Sequence, residues 1–187
     1  VGITNPSGTH KASVVDATAG PAIPPLSALQ AGATELSSAE YSLIAWSDYS
    51  YYNFGEFSNN GVLIEYAPTG TITAFTLTME GHPGPLYFLS GSKADVYAWN
   101  VATSTWEDIG DLGVGTVDSE LTWSPGTPAN YLDVDQKCYF FVILRWIGVL
   151  LDYTQLSVTT TESTPTIYTI SGTVYQCTTE IGRASCR

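Results

Sequence analysis

Between Thr34 and Thr160 the sequence is a succession of short apolar runs, each closed by a turn signal. "SLIAW", "GVLIEYA", "TITAFTLTMEG", "ADVYAWN", "STWEDIG", "DSELTWS", "CYFFVILRW" and "VLLDYTQLSVTTT" are enriched in β-branched and aromatic residues. Asn59-Asn60-Gly61, Pro68-Thr69-Gly70, His82-Pro83-Gly84-Pro85 and Ser124-Pro125-Gly126 separate them. No amphipathic window at helical spacing outlasts two turns. This rhythm predicts an all-β chain: an antiparallel β-sandwich (jelly roll) of about eight strands with no substantial helix. Within "TITAFTLTM", Ile72, Ala74 or a neighbour, Leu77 and Met79 alternate with threonines, and a phase slip near Phe75 predicts a bulge. The run 138–151, "CYFFVILRWIGVLL", is broken by Arg145 and is shorter than the roughly 20 residues that cross a bilayer. It reads as two strands joined at Ile147-Gly148, and no membrane insertion is expected.

With 187 residues the chain is long enough for one domain with a real core plus parts of its neighbours. Only 13% of residues are charged, against about one quarter in an ordinary soluble domain. With 44% hydrophobic and 12% aromatic residues, a disordered chain is excluded. Six basic against 18 acidic side chains give a net charge of −12. Such a surface repels nucleic acid and anionic membranes, so neither is expected as a partner.

The flanks differ in texture. Residues 1–33 contain "AGPAIPPLSALQAGA" and read as a linker or the tail of a preceding domain. The sandwich is expected over 34–160 and a second linker, "TESTPT", over 161–166. Residues 167–180 then open a fresh strand, "IYTISGTVYQ". Its Ile-Ser-Gly-Thr-Val centre resembles the first strand of a carboxypeptidase-regulatory-like domain, which implies a neighbouring β-domain in the same chain. The closing "IGRASCR", 181–187, fits the translation of a sequencing-adapter oligonucleotide and is expected to be read-through foreign to the gene. With no initiator Met, the chain is expected to begin inside a longer protein. Cys138 lies in a strand-like run and reads as a small buried hydrophobe. A disulfide to Cys177 is a possibility that two scattered cysteines do not decide.

"VYAWNVATSTWEDIG" sets Trp99 and Trp106 either side of a small polar turn. Asn100 and the threonines 103 and 105 are suited to bonding that turn's backbone. The segment resembles the end of a kelch blade but occurs once, and a propeller needs the blade repeated. The two indoles are either a hairpin staple, burying roughly 300–500 Å² between them, or a platform for stacking sugars. Tyr49, Tyr51 and Tyr52 in "SDYSYYNFGEF", together with Trp146, are the further candidates for ligand binding. Adjacent Tyr51 and Tyr52 must point to opposite sides if extended.

The pattern "ITAFTLTMEG … DVYAWNVATSTWEDIG … NYLDVDQKCYFFVIL … LLDYTQLSVT" resembles jelly-roll modules of archaeal and bacterial multidomain surface proteins. These are similar in outline to the galactose-binding-like and discoidin sandwiches. The resemblance spans about 34–160 and implies an extracellular or cell-surface, noncatalytic part. It carries no residue-by-residue site. It also implies that a structural Ca²⁺ can tie an early loop to the last strand, where Asp152 stands.

The chemistry left to the residues themselves is sparse. Asp133 and Asp135 in "LDVDQK" have the alternate spacing that presents two carboxylates to a Ca²⁺, or else form a solvated turn. No Gly or closing Glu follows at EF-hand positions. Of the two histidines, His10 lies in the leader and His82 in a Pro/Gly turn, which suggests a loop residue. There is no G-x-S-x-G elbow, zinc motif, phosphate loop or N-x-S/T sequon. Glu80, Glu107, Asp108 and Glu120 are carboxylates of the kind glycoside hydrolases pair, but any acidic sandwich supplies as many. The expectation is therefore a nonenzymatic structural or adhesive module of a larger surface or secreted protein. The alternative is a carbohydrate-binding module, Ca²⁺-assisted and attached to a secreted hydrolase, whose partner is a polysaccharide or cell-surface glycan.

Overall fold

The strand Cys138–Ile143 is buried at every residue, which a strand with one face in water cannot be. Its neighbours account for this. The computed structural model describes residues 10–17, 22–45, 51–54, 60–83, 93–113, 118–143, 149–161, 177–180 and 183–186. In chain order these contain β1 (Lys11–Asp16), α1 (Leu26–Ala31), β2 (Thr34–Glu35), α2 (Ser38–Ser42), β3 (Tyr52–Phe54), β4 (Asn60–Tyr66) and β5 (Thr71–Pro83). Then follow β6 (Ala94–Asn100), β7 (Thr105–Leu112), β8 (Ser119–Trp123), β9 (Cys138–Ile143), β10 (Val149–Thr161), β11 (Cys177–Glu180) and β12 (Arg183–Cys186).

A six-stranded sheet runs β2-β1-β4-β9-β6-β7 and a four-stranded sheet runs β3-β10-β5-β8. Every pairing is antiparallel. From β4 to β10 the chain changes sheet at each connection except the β6–β7 hairpin, the winding of a jelly-roll sandwich. The core between the sheets includes Tyr66, Leu77, Met79, Val96, Phe140 and Leu156. A second cluster lies on the outer face of the six-stranded sheet, where Leu26 and Leu29 of α1 pack over Leu63, Tyr139, Phe141 and Ile143. β9 thus has the sandwich core on one face and the α1 segment on the other, and its unbroken apolar run follows.

The sandwich therefore begins earlier than Thr34. Residues expected as a linker supply β1, paired with β4 from Lys11↔Glu65 to Asp16↔Asn60, and the outer cover. Of the expected strand "SLIAW", Ser42 ends α2, Leu43 and Ile44 turn away from it, and Trp46 lies outside the described residues. Ser37 caps α2: Glu40 N–H donates to Ser37 Oγ at 3.4 Å and Ser37 N–H to Glu40 Oε2 at 2.7 Å, a capping box that stops an extended run forming. Only Ala45 keeps a β-bridge, to Tyr153. In β5 the register shifts at Thr73, between the pairs Ile72↔Thr160 and Ala74↔Thr159. Phe75 is therefore buried and Ala74 exposed, so the slip lies just before Phe75.

Cys138 is buried and carries no disulfide. Thr161 still belongs to β10. The rest of the second linker and the expected strand over 167–176 lie outside the described residues, as does the expected join at 147–148. β11 and β12 pair with each other, from Cys177↔Cys186 to Glu180↔Arg183.

Candidate functional site

Two places concentrate chemistry: an acidic corner where β5, β8 and β10 meet, and an aromatic groove on the outer face of the β6–β7 hairpin. The corner begins with a backbone irregularity. Leu151 pairs with Gly81 and Tyr153 with Glu80, which leaves Asp152 as the extra residue of a β-bulge. Bulges redirect side chains, and Asp152 is only 1% exposed. Gly81 permits the close approach, since a Cβ there would lie 2.4 Å from Leu150 O and 3.2 Å from Leu151 Cα.

Glu80, one residue earlier on β5, and Asp118, immediately before β8, complete the corner. One oxygen from each of the three carboxylates lies within 4.8 Å of the other two. Tyr51 donates its hydroxyl to Asp118 Oδ2 at 2.9 Å. The edge of the Tyr51 ring meets His82 with centroids 5.0 Å apart. Asp118 Oδ1 and Ser119 Oγ are buried without a hydrogen-bond partner, a costly state for a carboxylate oxygen. Carboxylates brought this close repel one another when ionised. All-oxygen donors with an orphaned buried lone pair fit a hard divalent cation such as Ca²⁺.

His82 is not a loop residue. It lies within β5, is buried, and places Nδ1 2.6 Å from Pro83 O. Asp133 and Asp135 do not join Asp152. Asp133 Oδ1 accepts from the backbone N–H groups of Asp135 and Lys137 at 2.8 and 2.9 Å, and Oδ2 accepts from Tyr139 OH at 2.8 Å. Both of its oxygens thus hold the turn that leads into β9. Asp135 is exposed. Among the described residues, Glu80, Asp118 and Asp152 form the one group of three metal-competent side chains.

The other sequence candidates are Tyr49, Tyr51, Tyr52 and Trp146. Tyr49 and Trp146 lie outside the described residues. Tyr51 and Tyr52 are half-buried. Tyr52 packs against the inter-sheet core. Burial and the neighbouring Glu40 charge push its hydroxyl pKa up to about 12. Among the described residues, neither ring joins other exposed aromatic side chains. Asp118 carries no local sequence signal, because its convergence with Asp152 depends on β5 lying between β8 and β10.

The aromatic groove follows from strand alternation. On β6, Val96 and Ala98 face the core, so Tyr97 and Trp99 face outward. Trp99 pairs across the hairpin with Trp106. Their rings meet edge to face, with centroids 5.2 Å apart and planes at 66°. Trp106 Nε1 donates to Pro24 O at 2.9 Å, and its ring lies 5.9 Å from that of Phe141. The staple is real but sits on the outer face, where both indoles stay partly exposed. Asn100 bonds the turn as expected, its Oδ1 accepting from Thr103 N–H at 3.2 Å. Beside the rings lies a groove of about 430 Å³ that also takes in Ile23, Pro25, Ser104 and Thr105.

Among the described residues no helix is long and apolar enough to cross a membrane. Comparison with protein-family models and with curated proteins finds no match for the chain.

Proposed function

We propose that the chain is a noncatalytic β-sandwich module, a structural or adhesive part of a larger surface or secreted protein, whose last long strand is tied by Ca²⁺. The observation that carries this reading is the acidic corner: Glu80 on β5, Asp152 on β10 and Asp118 just before β8 converge, and Asp118 Oδ1 is buried with no hydrogen-bond partner. Ca²⁺ held there by these carboxylates supplies charge neutralisation and a cross-link between strands, with no chemical step. The noncatalytic reading draws support from three other carboxylates, which serve the framework. Glu107 accepts from Asn100 and Tyr131, Glu65 pairs with Lys137 at 2.9 Å, and Asp133 holds its turn. The acidic composition favours neither nucleic acid nor anionic membrane as partner.

Thermal unfolding with Ca²⁺ and with EGTA tests the proposal. A ligand at 100 times its Kd stabilises a fold by about 2.7 kcal/mol. Millimolar Ca²⁺ should therefore raise the Tm by several degrees, and D118N should abolish the rise. An unchanged Tm in Ca²⁺ sinks the metal. Hydrolysis of any polysaccharide that D118N or E80Q removes sinks the noncatalytic reading. A second reading, carbohydrate binding, is favoured by one observation: two large indoles left partly open on the outer face of the sheet.

A further inference from the structure

We infer that the corner between Trp99 and Trp106 is a subsite for a neutral pyranose of a polysaccharide or glycan chain. This rests on the second reading above, that the module binds carbohydrate, and assigns it a place remote from the tyrosines of the β3 region.

The argument starts from what covers the outer face. The α1 segment seals Leu63 and Phe141 beneath Leu26 and Leu29. At Ile23 and Pro25 the cover becomes the wall of the groove, while the indoles beyond remain partly exposed. A large indole left partly in water forgoes much of its burial energy. The pair is nevertheless packed against the outer cluster. Trp106 is fixed by its N–H bond to Pro24 O, by the Phe141 ring and by the edge of Trp99. Aromatic surfaces held in place before a ligand arrives lower the entropic cost of binding.

The lining then selects the ligand. Planes at 66° form a corner rather than a flat shelf, suited to one ring stacked on an indole face with its edge against the second. Hydroxyls flank the rings at Ser104 and Thr105. Ser104 adopts φ +56°, a left-handed conformation that Gly or Asn takes at less cost. The strained position here carries a hydroxyl at the groove. No charged side chain is among the groove's described lining residues. On the same face Asp108 stands across the hairpin from Tyr97 and accepts from Gly110 N–H at 2.9 Å, while Asp95 and Asp111 lie beyond Tyr97, Asp95 accepting from Tyr97 OH at 3.5 Å and Asp111 binding Lys93 at 3.0 Å. Apolar faces, hydroxyls and no net charge match a neutral sugar better than a cation or an anion. The volume of about 430 Å³ falls within the roughly 300–1,000 Å³ usual for small-ligand sites.

The test is a fluorescence titration of the whole chain with neutral hexasaccharides: β-1,4-linked glucose, mannose and xylose, and β-1,3-linked glucose. At least one should give a saturable change that persists in EGTA. W99A should weaken that binding about tenfold or more, and W99F by less, because a smaller ring remains. Val134→Ala, at a side chain 97% exposed, should bind like the parent. Circular dichroism keeps the comparison to folded variants, and W99F serves if W99A unfolds. Saturation by no hexasaccharide overturns the carbohydrate reading and the subsite with it. Binding that W99A and W99F leave unchanged overturns the subsite alone, and binding lost in EGTA moves the site to the acidic corner. Saturation by tetramethylammonium but by no sugar makes the corner a cation cage and overturns the proposal.

Discussion

At the scale of single residues, the burial of polar groups decides which of them titrate. His10 Nδ1 accepts the Ala67 N–H at 3.0 Å, and the ring leans on Tyr66 at 5.7 Å. Burial holds its pKa below the ordinary value, because the charged ring would lose its hydration. The unfolded histidine takes up its proton near pH 6.5, the folded one only at lower pH. The unfolded state therefore binds more protons in that interval. Stability from this group is complete above about 6.5 and declines as pH falls through the interval toward the lowered folded value. Thermal melts of the parent and H10Q at pH 7.5 and 5.0 check the sign. The Tm advantage of the parent should shrink at the lower pH, and an advantage equal at both values would count against it. Neither histidine's setting was legible from its neighbours in sequence. His82 sits in a Pro/Gly-rich stretch yet belongs to a strand, because β10 continues its pairing through His82 and Pro83.

At the scale of elements, strand pairing sets what each position tolerates. Gly61 on β4 lies beneath Phe141, and a Cβ there would come within 2.4 Å of Phe141 Cζ and 2.7 Å of Val142 O. The residue reads from sequence as part of an Asn-Asn-Gly turn, but it lies in a strand opposite Ile143. G61A should cost roughly 1–3 kcal/mol by overpacking, measured by urea unfolding. Because Phe141 contacts Trp106, the near-ultraviolet dichroism of the indoles should change with it. A loss in stability with an unchanged aromatic spectrum would show the strain relaxing elsewhere. Periodicity exposed most strands because alternation is a property of neighbouring residues. It also placed the slip in β5 near Phe75, where the register shifts at Thr73, but the second bulge, at Asp152, depends on the partner strand and left no such mark.

At the scale of the whole molecule, the outer layer matters most. Leu29 is 2% exposed within the cluster that covers the six-stranded sheet. L29A should therefore cost about 2–5 kcal/mol, as for a buried leucine, whereas a substitution in a mere connection stays within about 0.5 kcal/mol. Equilibrium unfolding in urea separates the two outcomes. The sequence by itself determined the all-β class, the sandwich and most strand positions, because turn chemistry and period-2 alternation are written in adjacent residues. It also determined the acidic, charge-poor surface. Only the tertiary structure decided that β1 and α1 belong to the sandwich, that Trp99 and Trp106 lie outside the inter-sheet core, and that Asp152 meets Glu80 and Asp118 rather than Asp133 and Asp135. Those outcomes turn on which distant strands pair, and on one bulge. Residues remote in the chain bring that information, and no single segment carries it.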